Sequence, residues 1–355
     1  MNIKYESCLV TGGAGFIGCA LSRFLIKKFR QVRVVDSLHP QIHRLRRRPA
    51  ALAAAAELVI ADVAEEQSWE LILDGFTPDV VIHLAAETGT GQSLTEASRH
   101  AYVNVLGTTR MLDAFASRNI VPSEIIISSS RAVYGEGAWQ TLVDRKEFYP
   151  GQRPLQQLES GLWDFAGAQS KPFDAGITRA CPTSIYGATK LAQEHILQAW
   201  TTAFGTRLTI LRLQNVYGPG QSLTNSYTGI VSLFCRLARD GLSIPLYEDG
   251  QMLRDFIYID DVVSAFRAAL GCTKPIPDIY DIGSGTSTTV QELATLIARA
   301  YAAPAPHVCG KFRHGDVRHA SCVNTRTMED LQWSPKISLE HGLTLLRSWL
   351  DKELD

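Results

Sequence analysis

The stretch Thr11-Gly-Gly-Ala-Gly-Phe-Ile-Gly18 follows an apolar run over Ser7–Thr11 and opens a helix-like amphipathic stretch over Gly15–Lys28. In that strand–turn–helix setting each spaced glycine has a task. Gly12 makes the tight turn, Gly15 lets the backbone approach a pyrophosphate, and Gly18 lets the helix lie close to the strand. The first helical turn, with Phe16 and Ile17, then directs its amides at the phosphates.

Outward from this turn, strand-like runs at Gln31–Asp36, Glu57–Ala61, Val80–Leu84, Glu124–Ser128 and Arg207–Leu213 alternate with helix-like stretches at Trp69–Asp74, Ala97–Ser117 and Tyr186–Phe204. Such alternation predicts an α/β fold, a Rossmann-like doubly wound parallel sheet whose strand C-termini carry the chemistry. Residues 1–213 would form the dinucleotide-binding domain. Residues 214–355, where the alternation weakens after Tyr217-Gly-Pro-Gly220 and a helix near Gly229–Arg239, would form a smaller α/β substrate lobe interleaved with the first. Between Gly135 and Arg179 glycine and proline recur without sustained periodicity, so the 136–182 segment is expected to be an ordered loop or lid beside the site.

Two carboxylates and one pair of side chains specify the chemistry further. Asp36 ends the second strand 18 residues after Gly18, where it can accept both adenosine ribose hydroxyls and repel a 2′-phosphate. NAD is therefore favoured over NADP. Asp62-Val63, after the third strand, suits adenine recognition or a helix N-cap equally well. Tyr186 and Lys190 lie four apart, hence on one helix face. A free phenol ionises near pH ~10, and an ammonium one turn away stabilises the phenolate, which makes Tyr186 a general base for a hydroxyl.

Composition limits the partners. The 35 basic and 36 acidic side chains leave a formal charge of -1, which gives no electrostatic case for nucleic acid or an anionic membrane. Arg44, Arg46, Arg47 and Arg48 are the one dense basic run, and read as a solvated stretch. Seven cysteines without a CxxC pair suggest neither a disulfide framework nor a zinc site, so a reduced protein without a metal is expected. The N-terminus passes straight into a strand and no apolar run approaches the roughly 20 residues that span a bilayer, so the expected location is the cytoplasm.

Together these residues resemble the extended short-chain dehydrogenase/reductases, in particular the nucleotide-sugar epimerases and dehydratases. The resemblance runs through Thr11–Gly18, Asp36, Asp62-Val63, His83-Leu-Ala-Ala86, Asn104, Ser128-Ser-Ser-Arg-Ala-Val-Tyr-Gly135, Tyr186-Gly-Ala-Thr-Lys190, Arg212-Leu-Gln-Asn-Val-Tyr-Gly-Pro219 and Arg254-Asp-Phe-Ile-Tyr-Ile-Asp-Asp261. It implies NAD held by Gly12, Gly15, Phe16, Ile17, Gly18, Asp36, Asp62, Val63, Leu84, Ala85, Ala86, Asn104, Tyr186 and Lys190. It implies a nucleotide-diphosphate sugar contacted by Glu87, Thr88, Ser130, Asn215, Arg254 and Arg318, with Ser130, Tyr186 and Lys190 as catalytic residues. In that scheme Ser130 bonds the reacting sugar oxygen, Lys190 reaches the nicotinamide ribose, Asn215 lies near the diphosphate, and Arg254 and Arg318 hold the nucleotide and its phosphates. The same resemblance implies a homodimer through the helices near Ala97–Ser117 and Tyr186–Phe204, whose apolar positions include Ala101, Val105, Ala192, Ile196 and Leu197.

The family's 4,6-dehydratases carry an Asp-Glu pair where this chain has Arg131-Ala132, so epimerisation by transient C4 oxidation is the expected reaction. The 56-residue interval from Ser130 to Tyr186 is long for the family, and with Glu87-Thr-Gly-Thr-Gly-Gln-Ser93 it resembles the subgroup of dTDP-L-rhamnose 4-epimerases, which form dTDP-6-deoxy-L-talose. Tyr258 stands where the RDF[IV]HVDD pattern has histidine. A UDP-hexose or UDP-uronate 4-epimerase, a decarboxylase and a nucleotide-sugar ketoreductase would share the core residues. A non-catalytic NAD sensor would have no need for Ser130, Tyr186 and Lys190 together.

Overall fold

The computed structural model describes residues 5–222, 229–272 and 278–354. Its centre is a seven-stranded parallel sheet of β1 (Ser7–Thr11), β2 (Gln31–Asp36), β3 (Glu57–Ile60), β4 (Val80–His83), β5 (Glu124–Ser130), β6 (Arg207–Leu213) and β7 (Asp278–Ile282). The spatial order is β7-β6-β5-β4-β1-β2-β3, and the order reverses direction at β1. That reversal opens the crevice at the strand C-termini.

Alternation along each strand builds two apolar layers. Val10, Val34, Ile82, Ile126 and Leu211 face one side, covered by Leu21 and Leu25 of α1 (Phe16–Lys28) and by Val262 and Phe266 of the helix Ile259–Ala269. Leu9, Val35, Val81, Ile125 and Ile210 face the other, covered by Met111 and Phe115 and by Leu197 of the long helix Ile185–Phe204. The six strands expected from sequence are present. The seventh, Asp278–Ile282, comes from the C-terminal part of the chain and pairs in parallel with β6, from Asp278 opposite Thr209 to Ile282 opposite Leu213. This five-residue run lies outside the regular strand–helix alternation of the first 213 residues, so its membership in the central sheet is set by its partner strand.

The helical rod over Ala97–Ser117 departs from the simple helix expected. Ala97–His100 and Gly107–Ser117 are α-helical, and Ala101–Leu106 between them winds as a π-helix, which turns Asn104 inward. In the C-terminal lobe Val231, Phe234, Leu293, Ile297, Leu346 and Leu350 form a separate core. Tyr258 belongs to that core, edge-on to Tyr217 with ring centroids 5.6 Å apart.

The 136–182 segment is a small subdomain. Its three-stranded antiparallel sheet places Trp139–Thr141 between Glu147–Phe148 and Ala168–Ser170 and is accompanied by the helix Leu155–Glu159. The segment leaves and rejoins the fold at one neck: Gly135, at φ +59°, lies where a Cβ would collide with the Cys181 carbonyl, and the Cys181 amide donates to Val133 O at 2.9 Å. Buried charges then tie it to the C-terminal lobe. Arg153 meets Glu136 at 3.1 Å and Glu248 at 2.8 Å, and Arg318 meets Glu248 at 3.0 Å, Asp249 at 2.7 Å and Asp164 at 2.9 Å. Arg153, Glu136, Glu248 and Arg318 are each at most 3% exposed, so the pairs among these four are hidden from solvent screening, whereas Asp164 and Asp249 are partly exposed.

Removing one member of a buried pair leaves the other charge stranded. Arg153→Met is expected to lower the unfolding free energy by about 3–5 kcal/mol, measured by urea denaturation. A loss below about 1 kcal/mol, the worth of an exposed pair, would show that the network does not hold the subdomain in place.

Candidate active site

A cavity of about 1040 Å³ opens over the C-termini of β1, β2, β4, β5 and β6. Its floor is the glycine turn. Gly12, at φ +65°, has its absent Cβ position 2.6 Å from the Ala85 amide nitrogen, and its own amide donates to Val35 O at 2.7 Å. Any side chain there would push the β4 loop off the turn. Gly15 caps α1 with no side-chain hydrogen bond, which leaves the first-turn amides facing the cavity. Gly18 is pressed against Gly13, where no Cβ would fit.

Asp36 sits on the wall and holds the turn from the side. Its carboxylate accepts from the Ala14 amide at 3.0 Å and the Leu38 amide at 2.9 Å, and His43 Nε2 stands 3.7 Å away. Burial pushes this carboxyl up, while the Leu38 amide, His43 and the Ala14 and Gly15 amides pull it back. A carboxylate has about four acceptor sites, so ribose hydroxyls can still be accepted. Asp62 also lines the cavity and accepts from the Ala64 amide at 2.9 Å, and Val63, Leu84, Ala85 and Ala86 complete this half. The glycine cradle, open helix terminus and terminal carboxylate fit an adenine dinucleotide.

The other half holds the reactive groups. Ser130, Arg131, Tyr186, Lys190 and Asn215 line it with Glu87 and Thr88. Ser130 ends β5, and its hydroxyl accepts from the Ala132 amide at 3.2 Å, capping a 3-10 turn over Arg131–Tyr134. Tyr186 enters on the first turn of Ile185–Phe204, where Ser184 caps the helix by accepting from the Gly187 amide at 3.0 Å. Gly187 makes the approach possible: a Cβ at this position would collide with the Ala132 carbonyl. Burial pushes the Tyr186 phenol up, and the Ser130 hydroxyl and the Arg131 charge pull it down.

Lys190 lines the same cavity as Tyr186, one helical turn further on. Its Nζ donates to Gln193 Oε1 at 2.5 Å, and Gln193 Nε2 lies 3.1 Å from His83 Nε2 and donates to Thr108 Oγ1 at 2.8 Å. Burial brings the Lys190 ammonium down to about 7, against the pull of Glu194. Beneath the site Arg212 pairs with Glu194 at 2.7 Å and lies over the Tyr134 ring at 4.7 Å, and the Tyr134 hydroxyl donates to Asp281 on β7 at 3.0 Å. The late seventh strand thus anchors the floor of the site.

Several expected contacts are placed elsewhere. Asn104 does not line the cavity; it accepts from the Glu87 amide at 2.7 Å and donates to Glu87 O and to Thr189, so it positions the loop carrying Glu87. The Glu87 carboxylate is held by Arg99 at 2.8 Å. Arg254 donates to the carbonyls of Leu253, Val317 and Arg318, and Arg318 is committed to its three carboxylates; neither lines the cavity. The 136–182 segment, expected as a lid, contributes no residue to the cavity wall, because its buried ion pairs fasten it against residues 248–249 and 316–318. Arg131, on the cavity wall, and Gln193, the hydrogen-bond partner of Lys190, were not among the expected site residues. Only the place of Arg131 directly after Ser130 could have signalled it.

A family model for the NAD dependent epimerase/dehydratase family matches residues 8–156 and 165–283. The chain belongs to that family. The dTDP-L-rhamnose 4-epimerase of Burkholderia thailandensis is 56% identical over 350 residues, covering 99% of this chain and 96% of that one. Among solved structures, UDP-glucose 4-epimerase of Thermotoga maritima with UDP-glucose is 30% identical with a TM-score of 0.79, covering 99% of this chain and all of that one. The Thermus thermophilus UDP-glucose 4-epimerase complex with NAD is 25% identical with a TM-score of 0.77, covering 98% and 99%. As a member of the family the enzyme is NAD-dependent.

Asp36→Ala is expected to weaken NAD by about 10- to 100-fold, the worth of one charge-assisted hydrogen bond of about 1.5–3 kcal/mol, and to narrow the gap between NAD and NADP. Calorimetric titration of nucleotide-stripped protein with each cofactor checks this.

Proposed function

We propose that the enzyme interconverts dTDP-L-rhamnose and dTDP-6-deoxy-L-talose by epimerisation at C4. The observation that carries the reaction type is the composition of one cavity wall: Tyr186 and Ser130 face it together, and the residues after Ser130 are Arg131 and Ala132. A base and a hydroxyl suffice to oxidise and restore one carbinol carbon, whereas loss of water across C5 and C6 needs a further acid–base pair. The choice of sugar is supported by the 56% identity to the Burkholderia thailandensis enzyme over nearly the full length of both chains.

In this scheme Tyr186 takes the proton of the C4 hydroxyl and Ser130 holds the oxygen. NAD, when bound, supplies the oxidising and reducing equivalents at C4. Lys190, with Gln193 behind it, holds the nicotinamide side of the cavity. Asn215 faces the diphosphate. The transient 4-keto sugar must present its other face before the proton returns from Tyr186, which requires that the nucleotide stay anchored while the sugar turns.

The scheme includes a homodimer through the helices Ala97–Ser117 and Ile185–Phe204. Ala101 is exposed and Val105, Ala192 and Ile196 are half-buried, as an interface would need. Leu197 is fully buried in the protomer's own core and drops out of that interface. No helix among the described residues is long and apolar enough to cross a membrane.

The purified protein, given dTDP-L-rhamnose, UDP-glucose or UDP-glucuronate without added cofactor, is expected to convert the first into its C4 epimer with no net change in NADH absorbance, followed by proton NMR. Conversion of a UDP-sugar alone would move the substrate class, and a strict need for added NADH or NADPH would make the enzyme a ketoreductase. Tyr186→Phe should lower turnover by roughly 10²–10⁴-fold with NAD still bound; near-normal turnover would remove Tyr186 as the base.

A further inference from the structure

Phosphoryl oxygens accept hydrogen bonds and carry charge, so a wall that binds a diphosphate must offer donors and a cation that the protein has not already engaged. The cations on the cavity wall differ in this respect. Arg99 is held by Glu87 and Glu96 at 2.8 Å each, and Lys190 donates to Gln193. His39 and His43 stand beside Arg99 and Asp36, and Arg23 is exposed on α1. Arg254 and Arg318, the cations expected for the phosphates, spend their donors on carbonyls and carboxylates off the wall.

Arg131 remains. It is half-buried on the wall, on the 3-10 turn that Ser130 caps. Its Nε donates to Asn215 Oδ1 at 2.9 Å, and Asn215 is itself pinned by its backbone amide, which donates to Asp255 O at 3.0 Å. Among the described residues Nη1 and Nη2 of Arg131 have neither hydrogen bond nor ion pair, in contrast to Arg153, Arg212, Arg254 and Arg318. The same bond orients Asn215. With Oδ1 turned to the guanidinium, the Nδ2 group points away from it and has no partner among the described residues. The two side chains therefore present donors only. Ser130 pairs with Leu213 in the sheet register, so this donor face lies directly beyond the Ser130 hydroxyl in the reactive half of the cavity.

A half-buried cation without a counter-ion calls for an anion, because neutral sugar hydroxyls do not offset its lost hydration. We propose that Arg131, oriented by Asn215, is a diphosphate-binding residue of this enzyme, its two terminal nitrogens meeting the phosphoryl group that carries the sugar. This deepens the proposed epimerase reading and rests on the substrate being a nucleotide-diphosphate sugar. The planar fork of a guanidinium matches two oxygens of one phosphoryl group, and the Asn215 amide adds a third donor. Held there, the phosphoryl group fixes the nucleotide end beside Ser130 and leaves the sugar as the part that turns.

The test titrates dTDP and UDP, and the corresponding monophosphates, calorimetrically into the NAD-bound enzyme. Arg131→Gln should weaken the diphosphates by about 10- to 100-fold, with NAD retained and the monophosphates near wild type. Arg131→Lys, which keeps the charge without the fork, should fall between wild type and Arg131→Gln, and it carries the same comparison if Arg131→Gln does not retain NAD. Equal losses for monophosphates and diphosphates would make Arg131 a structural residue and overturn the proposal. Unchanged diphosphates with weaker binding of UDP-glucuronate but not of UDP-glucose would give the fork to a sugar carboxylate and overturn it as well. Weakened diphosphates in a protein that converts none of the three sugars would leave the phosphate role standing and remove the epimerase reading. Unchanged diphosphates in an enzyme active on dTDP-L-rhamnose would sink the phosphate role alone.

Discussion

The active site depends on one close approach, that of Gly187 to the Ala132 carbonyl. It seats the first turn of the helix Ile185–Phe204 on the 3-10 turn that ends β5, and so sets Tyr186 beside Ser130 and Arg131. The two elements are 50 residues apart in the chain and are joined through the 136–182 subdomain. The helix is held in turn by Glu194, which bonds Ser129 and Arg212, and through Arg212 and Tyr134 by Asp281 on the edge strand. Each polar partner in that chain is buried, where an unmet hydrogen bond is expensive, so the geometry above it is rigid.

The subdomain illustrates how a long insertion is accommodated beside a reactive centre. Its neck at Gly135 and Cys181 closes the excursion where it begins, so the insertion changes neither β5 nor the helix that follows. Its charges meet partners in the C-terminal lobe, which occupies Arg318 away from the cavity wall that Arg131 and Asn215 help to line. Arg153, Arg212, Arg254 and Arg318 are thereby structural and lie off the cavity wall that Arg131 lines.

Much of this protein was legible in its sequence. Alternating apolar runs marked six central strands to within a residue or two at each end, because a strand buried on both faces needs both neighbouring positions apolar. Gly12 and Gly18 announced the turn, since no residue with a Cβ fits where they stand. Asp36, Ser130, Tyr186 and Asn215 were recognised from motifs, and all four line the cavity.

Sequence alone determined six strands of the sheet and the dinucleotide turn, because these follow from local periodicity and from backbone conformations that few residues adopt, and it singled out Tyr186 by its motif. Only the tertiary structure decided which charge faces which group. Lys190 lies on the same helix face as Tyr186 but finds its hydrogen bond at Gln193, Arg318 finds carboxylates from two distant segments, and Asn104 serves the backbone of Glu87. Leu197 and the strand Asp278–Ile282 likewise acquired their places from distant partners. A long charged side chain can reach several neighbours, and the one it meets is set by how helices and loops pack, which no spacing along the chain encodes.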